Sequence, residues 1–196
     1  MYIGPQGSVH GTTITLLNAG RLKGLGTNNL KGKAFVTSGL GGMSGAQAKA
    51  LIVTGATGII AEVDHDAIRQ RIADHYIREE DVFTDLDSML TQFVKSKNAE
   101  EARCFVYQGN IVEVWEKLVF RHIHIELGSD QTSCHYIDHL GYCPVECTFE
   151  EAKALMDDDK EGFDQAIKRS LRRHVDAINV MCSRGMYFWD YGNAFL

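Results

Sequence analysis

The stretch Val36-Thr37-Ser38-Gly39-Leu40-Gly41-Gly42-Met43-Ser44-Gly45-Ala46-Gln47 decides the fold. Together with Ala34 and Phe35 its opening residues form a short run of apolar and β-branched side chains, the composition of a buried strand. The run stops abruptly at Gly39, where four glycines fall within seven positions. Ala46–Thr54 then supplies good helix formers and ends at Gly55, placed as a helix C-cap glycine is. Residues 58–63, with Ile59 and Ile60, return to strand composition. Strand, glycine turn, helix and strand make the unit from which parallel sheets are built.

Backbone without side chains can approach a diphosphate closely, and the amides that open a helix are ready to bind it. The usual dinucleotide fingerprint has a third glycine where this chain carries Ser44, with Gly45 one step later. Glu62 ends the second strand about 20 residues beyond Gly39, where a carboxylate accepts hydrogen bonds from the adenosine ribose hydroxyls, which favours NAD over NADP. Glycine-rich turns also occur at tight corners that bind nothing. Turn, helix and acid taken together favour a dinucleotide.

Working outward, residues 10–22 read as a helix and 24–33 as a Gly- and Asn-rich loop. Residues 84–97 place Leu86, Met89, Leu90, Phe93 and Val94 on one helical face, with Thr84 and Asp87 at capping-box spacing. A strand is expected at 104–107, a helix at 112–120, a strand at 123–127 and a polar loop at 128–135. His122 and His124 alternate along that expected strand and read as structural histidines on one face. Helices at 149–156 and 163–182 follow, packing outside the sheet or onto a neighbouring part. The chain is therefore expected to be α/β, a Rossmann-like, mostly parallel sheet with helices on both faces plus C-terminal helices. Without repeats or linkers, residues 1–196 read as a single domain.

Ligands of open parallel sheets sit beyond the carboxyl ends of the strands. Two further loops, Gly109-Asn110-Ile111 and Ser129-Asp130-Gln131-Thr132-Ser133-Cys134-His135, are expected to line the same crevice. Asp130, Gln131, Thr132 and Ser133 carry groups suited to hydrogen-bonding a ribose, phosphate or carboxamide. Cys134, His135, His139, Cys143 and Cys147 are zinc-type donors, but their spacing does not match the two-residue cysteine knuckle, and no metal is expected. Cys134 beside His135 reads either as an activated thiol or as a residue that contacts cofactor or simply packs.

A net charge of −6 opposes nucleic-acid phosphates, and the cluster Lys168, Arg169, Arg172 and Arg173 reads as a solvated helix face. No run approaches the roughly 20 apolar residues of a membrane span. Five cysteines, an odd number with no signal peptide before them, point to a reducing cytoplasm.

Tyr2-Ile3-Gly4-Pro5-Gln6-Gly7, the glycine stretch through Gln47, residues 130–135 and Phe188-Trp189-Asp190-Tyr191-Gly192-Asn193 together resemble the central region of the urocanases, the eukaryotic-type form most nearly. The resemblance runs from end to end. It implies an NAD-binding domain of an enzyme that hydrates urocanate to imidazolone propionate in histidine breakdown, with NAD+ serving as an electrophile rather than a redox reagent. It also implies a homodimeric full enzyme and an excised domain that is inactive alone, a stand-alone NAD-binding module being the alternative. The family's catalytic cysteine belongs to a segment downstream of Asp190-Tyr191-Gly192-Asn193, so no catalytic residue is expected here. Carried over by motif, the residues around NAD are Gln6, Gly42, Met43, Ser44, Glu62, Asn110, Ile111, Gln131, Thr132, Ser133, Cys134, His135, Tyr142, Cys143 and Tyr191. Two departures fall on this region: Ala67 stands where many bacterial relatives carry arginine, and Gln108 where a histidine is common.

Overall fold

The computed structural model describes residues 4–132 and 134–191, without the side chains of residues 135, 136 and 138. The elements are α1 (Pro5–Leu22), β1 (Ala34–Ser38), α2 (Ala46–Thr54), β2 (Thr57–Glu62), α3 (His65–Ala73), β3 (Val82–Phe83), α4 (Leu86–Asn98), β4 (Arg103–Gln108), α5 (Ile111–Phe120), β5 (Leu127–Asp130), α6 (Phe149–Asp158), α7 (Lys160–Ser183) and β6 (Tyr187–Asp190). The described strands form a sheet of order β3-β4-β2-β1-β5-β6, and every neighbouring pair is parallel.

Alternation along each strand sends one side chain to either face, and both faces are covered. Val36, Ile59 and Phe105 meet Phe93 of α4, Trp115 of α5 and Ile178 and Met181 of α7. Their neighbours Phe35, Ile60 and Val106 meet Leu16 of α1, Leu51 of α2 and Ile68 of α3. All of β1 is buried for this reason. Helix α2 lies so close to the sheet that a Cβ on Gly58 would stand 2.1 Å from Leu51 Cδ1 and 2.5 Å from the Phe35 carbonyl oxygen. Only glycine at 58 allows that approach.

From β1 the chain adds β2 and β4 on one side, then crosses to place β5 and β6 on the other. The order therefore reverses between β1 and β5, and the carboxyl ends of these two strands flank the crevice that such a reversal opens.

The expected α/β class, parallel sheet and two helical layers are all observed. Several local expectations are corrected. The strand expected at 123–127 is instead Leu127–Asp130, so the first residues of the supposed loop are buried sheet. His122 is not on a strand: it has φ +50 in the turn after α5. His124 stands outside the strand, with Nε2 3.8 Å from Glu126 Oε1. Helix α4 is capped by Asp85, whose carboxylate accepts from the Ser88 amide, rather than by Thr84 with Asp87. Helix α7 covers the sheet as the crossover from β5 to β6 instead of lying outside it. Its basic cluster is solvated and partly paired, Arg169 with Glu146 at 2.7 Å and Arg173 with Glu116 at 2.8 Å. Among the described residues no helix is long and apolar enough to cross a membrane.

Candidate cofactor-binding crevice

The glycine turn is shaped by its own contacts. Gly39 has φ +94, in the region that glycine alone adopts freely, and a Cβ there would press on Ser44 Oγ at 2.9 Å. Its amide donates to the Ala61 carbonyl at 2.8 Å, tying the turn to β2. Gly45 donates to the Gly41 carbonyl at 2.9 Å, so the chain is already wound before α2 begins. The amides of Gly41, Gly42, Met43 and Ser44 donate to no acceptor among the described residues. Successive free amides at a helix entrance form a concave anion site. A Cβ on Gly42 would meet nothing, so that side of the turn is open to a ligand.

Glu62 faces the same turn. One carboxylate oxygen accepts from the Leu40 amide at 2.6 Å and the other from the Asp64 amide at 2.9 Å. Burial raises its pKa above 4.5, against the lowering effect of these amides. Each oxygen keeps a further lone pair for a ligand hydroxyl. Turn and acid thus share one side of the sheet, as a dinucleotide requires.

Beneath the turn the ends of β1 and β5 are joined by buried polar side chains. Gln47, fully buried on α2, accepts from Thr37 Oγ1 at 2.9 Å and donates to the Ser38 carbonyl at 3.1 Å. Asp130 is fully buried; its carboxylate accepts from Ser38 Oγ at 2.8 Å and from the Thr132 amide at 2.6 Å. Asn110 caps α5 by accepting from the Val112 amide at 3.0 Å and donates to the Cys143 carbonyl at 2.8 Å, joining the β4 loop to the far wall.

The resulting crevice measures about 310 Å³, within the rough 300–1,000 Å³ range of small-molecule sites. Of the residues the sequence singled out, Ser44, Glu62, Asn110, Ile111, Gln131, Thr132, Tyr142 and Cys143 line it. Gly42 and Met43 stand at its glycine rim, Met43 exposed, with its sulfur 3.7 Å from Ser8 Oγ. Gln6 is exposed on the first turn of α1 and lines a separate shallow groove with Val9, Lys49 and Tyr76. Tyr191 follows β6, partly exposed, edge-on to Trp189 at 6.4 Å. Ser133 and the side chain of His135 lie outside the described residues. Of the two departures, Ala67 lines the crevice, while Gln108 ends β4 opposite Glu62.

Cys134 opens a short 3-10 helix at Cys134–His139. Burial first, then Asp130 and Asp190, push its thiol up to about 11, the direction opposite to activation, while the His135 side chain that would lower it lies outside the described residues. Cys143 is pushed up to about 12, chiefly by burial. Among the described residues no three His, Cys, Asp or Glu side chains converge as metal ligands.

The sequence reading missed Ser38 and Gln47 as parts of the site, and also Asp64, Leu140, Gly141 and Phe149 on its walls. The signal for the first two lay inside the quoted stretch: hydroxyls and an amide at positions that a strand and helix bury on both faces.

Comparison with known proteins matches residues 4–196 to the family model described as the urocanase Rossmann-like domain. The chain is 52% identical over 196 residues to a probable urocanate hydratase of Dictyostelium discoideum. It is 48% identical over 200 residues to a urocanate hydratase of Mus musculus and 47% identical over 200 residues to that of Homo sapiens. Each alignment takes in 100% of this chain and 29% of the relative. A strand reversal, an amide-lined glycine turn facing an acid and a family match across nearly every residue lead to one assignment: the chain belongs to the urocanase family, in its Rossmann-like domain.

Proposed function

We propose that the crevice binds NAD+, the diphosphate lying on the amides of residues 41–44 and the adenosine ribose on Glu62, as part of a urocanate hydratase that adds water to urocanate. The observation that carries this reading is the free amides of the glycine turn standing beside a carboxylate whose oxygens each retain an acceptor site. A 2′-phosphate in place of the ribose hydroxyl would meet the Glu62 carboxylate, so NAD+ is preferred over NADP+. The relatives named urocanate hydratase support urocanate as the substrate of the whole enzyme.

When bound, the nicotinamide supplies an electron sink for activating urocanate. This chain's residues bind and orient it: the amides of residues 41–44 and Glu62 at one end, Asn110, Gln131, Thr132, Tyr142 and Cys143 along the crevice, with Gln6, Ser133, Cys134, His135 and Tyr191 assigned by family resemblance. That resemblance also supports a homodimeric enzyme. Five cysteines that form no disulfide suit a cytoplasmic setting.

Calorimetric titration of the purified 196-residue chain with NAD+ tests the reading. Saturable heat with NAD+ and much weaker heat with NADP+ are expected; no heat at millimolar NAD+ would refute it. In the same preparation, urocanate absorbance should stay constant. Turnover would show that the chemistry does not depend on residues outside this chain.

A further inference from the structure

His174 lies in the middle of α7, with no solvent exposure, directly behind the crevice. Ser170 is one helical turn earlier on the same face and is also fully buried. Imidazole Nε2 stands 3.8 Å from Asp130 Oδ2, and Nδ1 stands 3.5 Å from the Tyr142 hydroxyl. The Tyr142 hydroxyl in turn meets Ser170 Oγ at 2.9 Å, and Ser170 Oγ accepts from the Val145 amide at 2.9 Å.

These contacts join two walls that no strand connects. On one side, Asp130 holds Ser38 Oγ at the end of β1 and the Thr132 amide in the loop after β5. On the other, Tyr142 and Ser170 fix the segment that carries Cys143, which Asn110 also grips. The histidine ring stands against both Asp130 and Tyr142. The ring meets the Tyr142 hydroxyl at 3.5 Å and faces the Asp130 carboxylate electrostatically across 3.8 Å; in so dry a setting polar groups couple strongly, so moving one obliges the next to move. Burial also lowers the His174 pKa, and a neutral ring offers one donor and one acceptor, the pair needed to face a carboxylate and a hydroxyl.

We infer that His174 is a positioning residue that locks the Thr132 wall of the crevice to the Tyr142 wall through Asp130 and Tyr142, so that both present their groups to the cofactor together. This rests on the crevice being the NAD+ site. The locking itself is a property of the chain alone and is measured without ligand.

Amide hydrogen exchange at Thr132 and Val145 reads the two ends of the relay in wild type, H174L and H174Q. Leucine fills much of the ring's space without polar atoms; glutamine keeps one donor and one acceptor. In H174L both amides should exchange roughly tenfold to a hundredfold faster, the fold-change for a buried hydrogen-bonding group left unsatisfied. H174Q should restore protection at both. A scaffold role confined to α7 would leave Thr132 unmoved and would not be rescued by glutamine; either result overturns the inference. If H174L fails to fold, Y142F serves instead. It removes one hydroxyl on the far wall, and faster exchange at Thr132 supports the lock, whereas unchanged Thr132 exchange overturns it. Titration with NAD+ should then show weaker binding in H174L than in H174Q, and equal affinities would also count against the inference. A wild-type chain that takes up no NAD+ would refute the cofactor reading, and the exchange rates alone would then decide the lock.

Discussion

Glu62 combines two demands that pull its chemistry in opposite directions. Burial favours the protonated acid, while the Leu40 and Asp64 amides favour the carboxylate, as the ribose hydroxyl of the proposed NAD+ would. Glu62→Gln leaves an acceptor for Leu40 or Asp64 but not for both, and it removes the charge. NAD+ affinity should fall about tenfold to a hundredfold, since a hydrogen bond to a charged group contributes roughly 1.5–3 kcal/mol. Because the folded pKa lies above 4.5, the acid holds its proton more tightly folded than unfolded. Stability from this group is full below 4.5 and is lost as pH rises through the folded value. The stability of Glu62→Gln relative to wild type should therefore improve as pH rises across that window, while wild-type NAD+ affinity weakens as pH falls through it. Denaturation and titration across pH 4 to 8 (roughly the carboxylate-to-neutral range) check both, and a stability difference that is flat with pH would contradict the account.

At the scale of elements, Asn110 does two separable things: Oδ1 caps α5, and Nδ2 holds the Cys143 carbonyl. Asn110→Ala should cost about 1–2 kcal/mol in chemical denaturation, the usual effect of losing an N-cap. Asn110→Asp keeps the cap but loses the donor, so it should retain most stability while NAD+ affinity falls. Equal affinity in Asn110→Asp and wild type would mean the Cys143 contact is idle. The β1–α2–β2 unit was legible because glycine, helix formers and β-branched residues there each answer to a local rule. Strand β5 was misplaced because Gly128, Ser129 and Asp130 look like loop; Ser129 and Asp130 are polar because they hydrogen-bond Thr37 and Ser38 at the end of β1, and all three are buried because two strands and α7 enclose them. Helix α3 was missed because Ile68 is its only buried residue, too little to make a periodic stripe. The Asp130–His174 relay was illegible for a different reason, since it depends on α7 folding back across the sheet, which no spacing within either segment records.

For the whole molecule, the element least expected from the sequence closes the sheet. Strand β6 returns after α7 and pairs with β5 in the register Asp130 to Asp190. Its successive side chains grip opposite faces: Phe188 meets Trp115 at 6.2 Å in the α5–α7 layer, and Trp189 stacks on Phe35 at 5.7 Å in the α1–α2 layer. A two-sided grip of this kind makes an edge strand part of the cooperative unit, and through β5 it supports the crevice floor at Asp130. Trp189→Ala removes the stacked ring from a half-buried position. The cost should be about 2–4 kcal/mol, toward the low end of buried Trp→Ala losses. For a chain of this size that lowers Tm by roughly 5–12 °C. If β6 supports the floor, NAD+ affinity should fall as well, although saturating NAD+ should still raise Tm by mass action. A single transition shifted downward, with weakened binding, is the expected scan. An unshifted Tm would mean that β6 frays independently, and the support of Asp130 would then have to come from β1 and α7 alone.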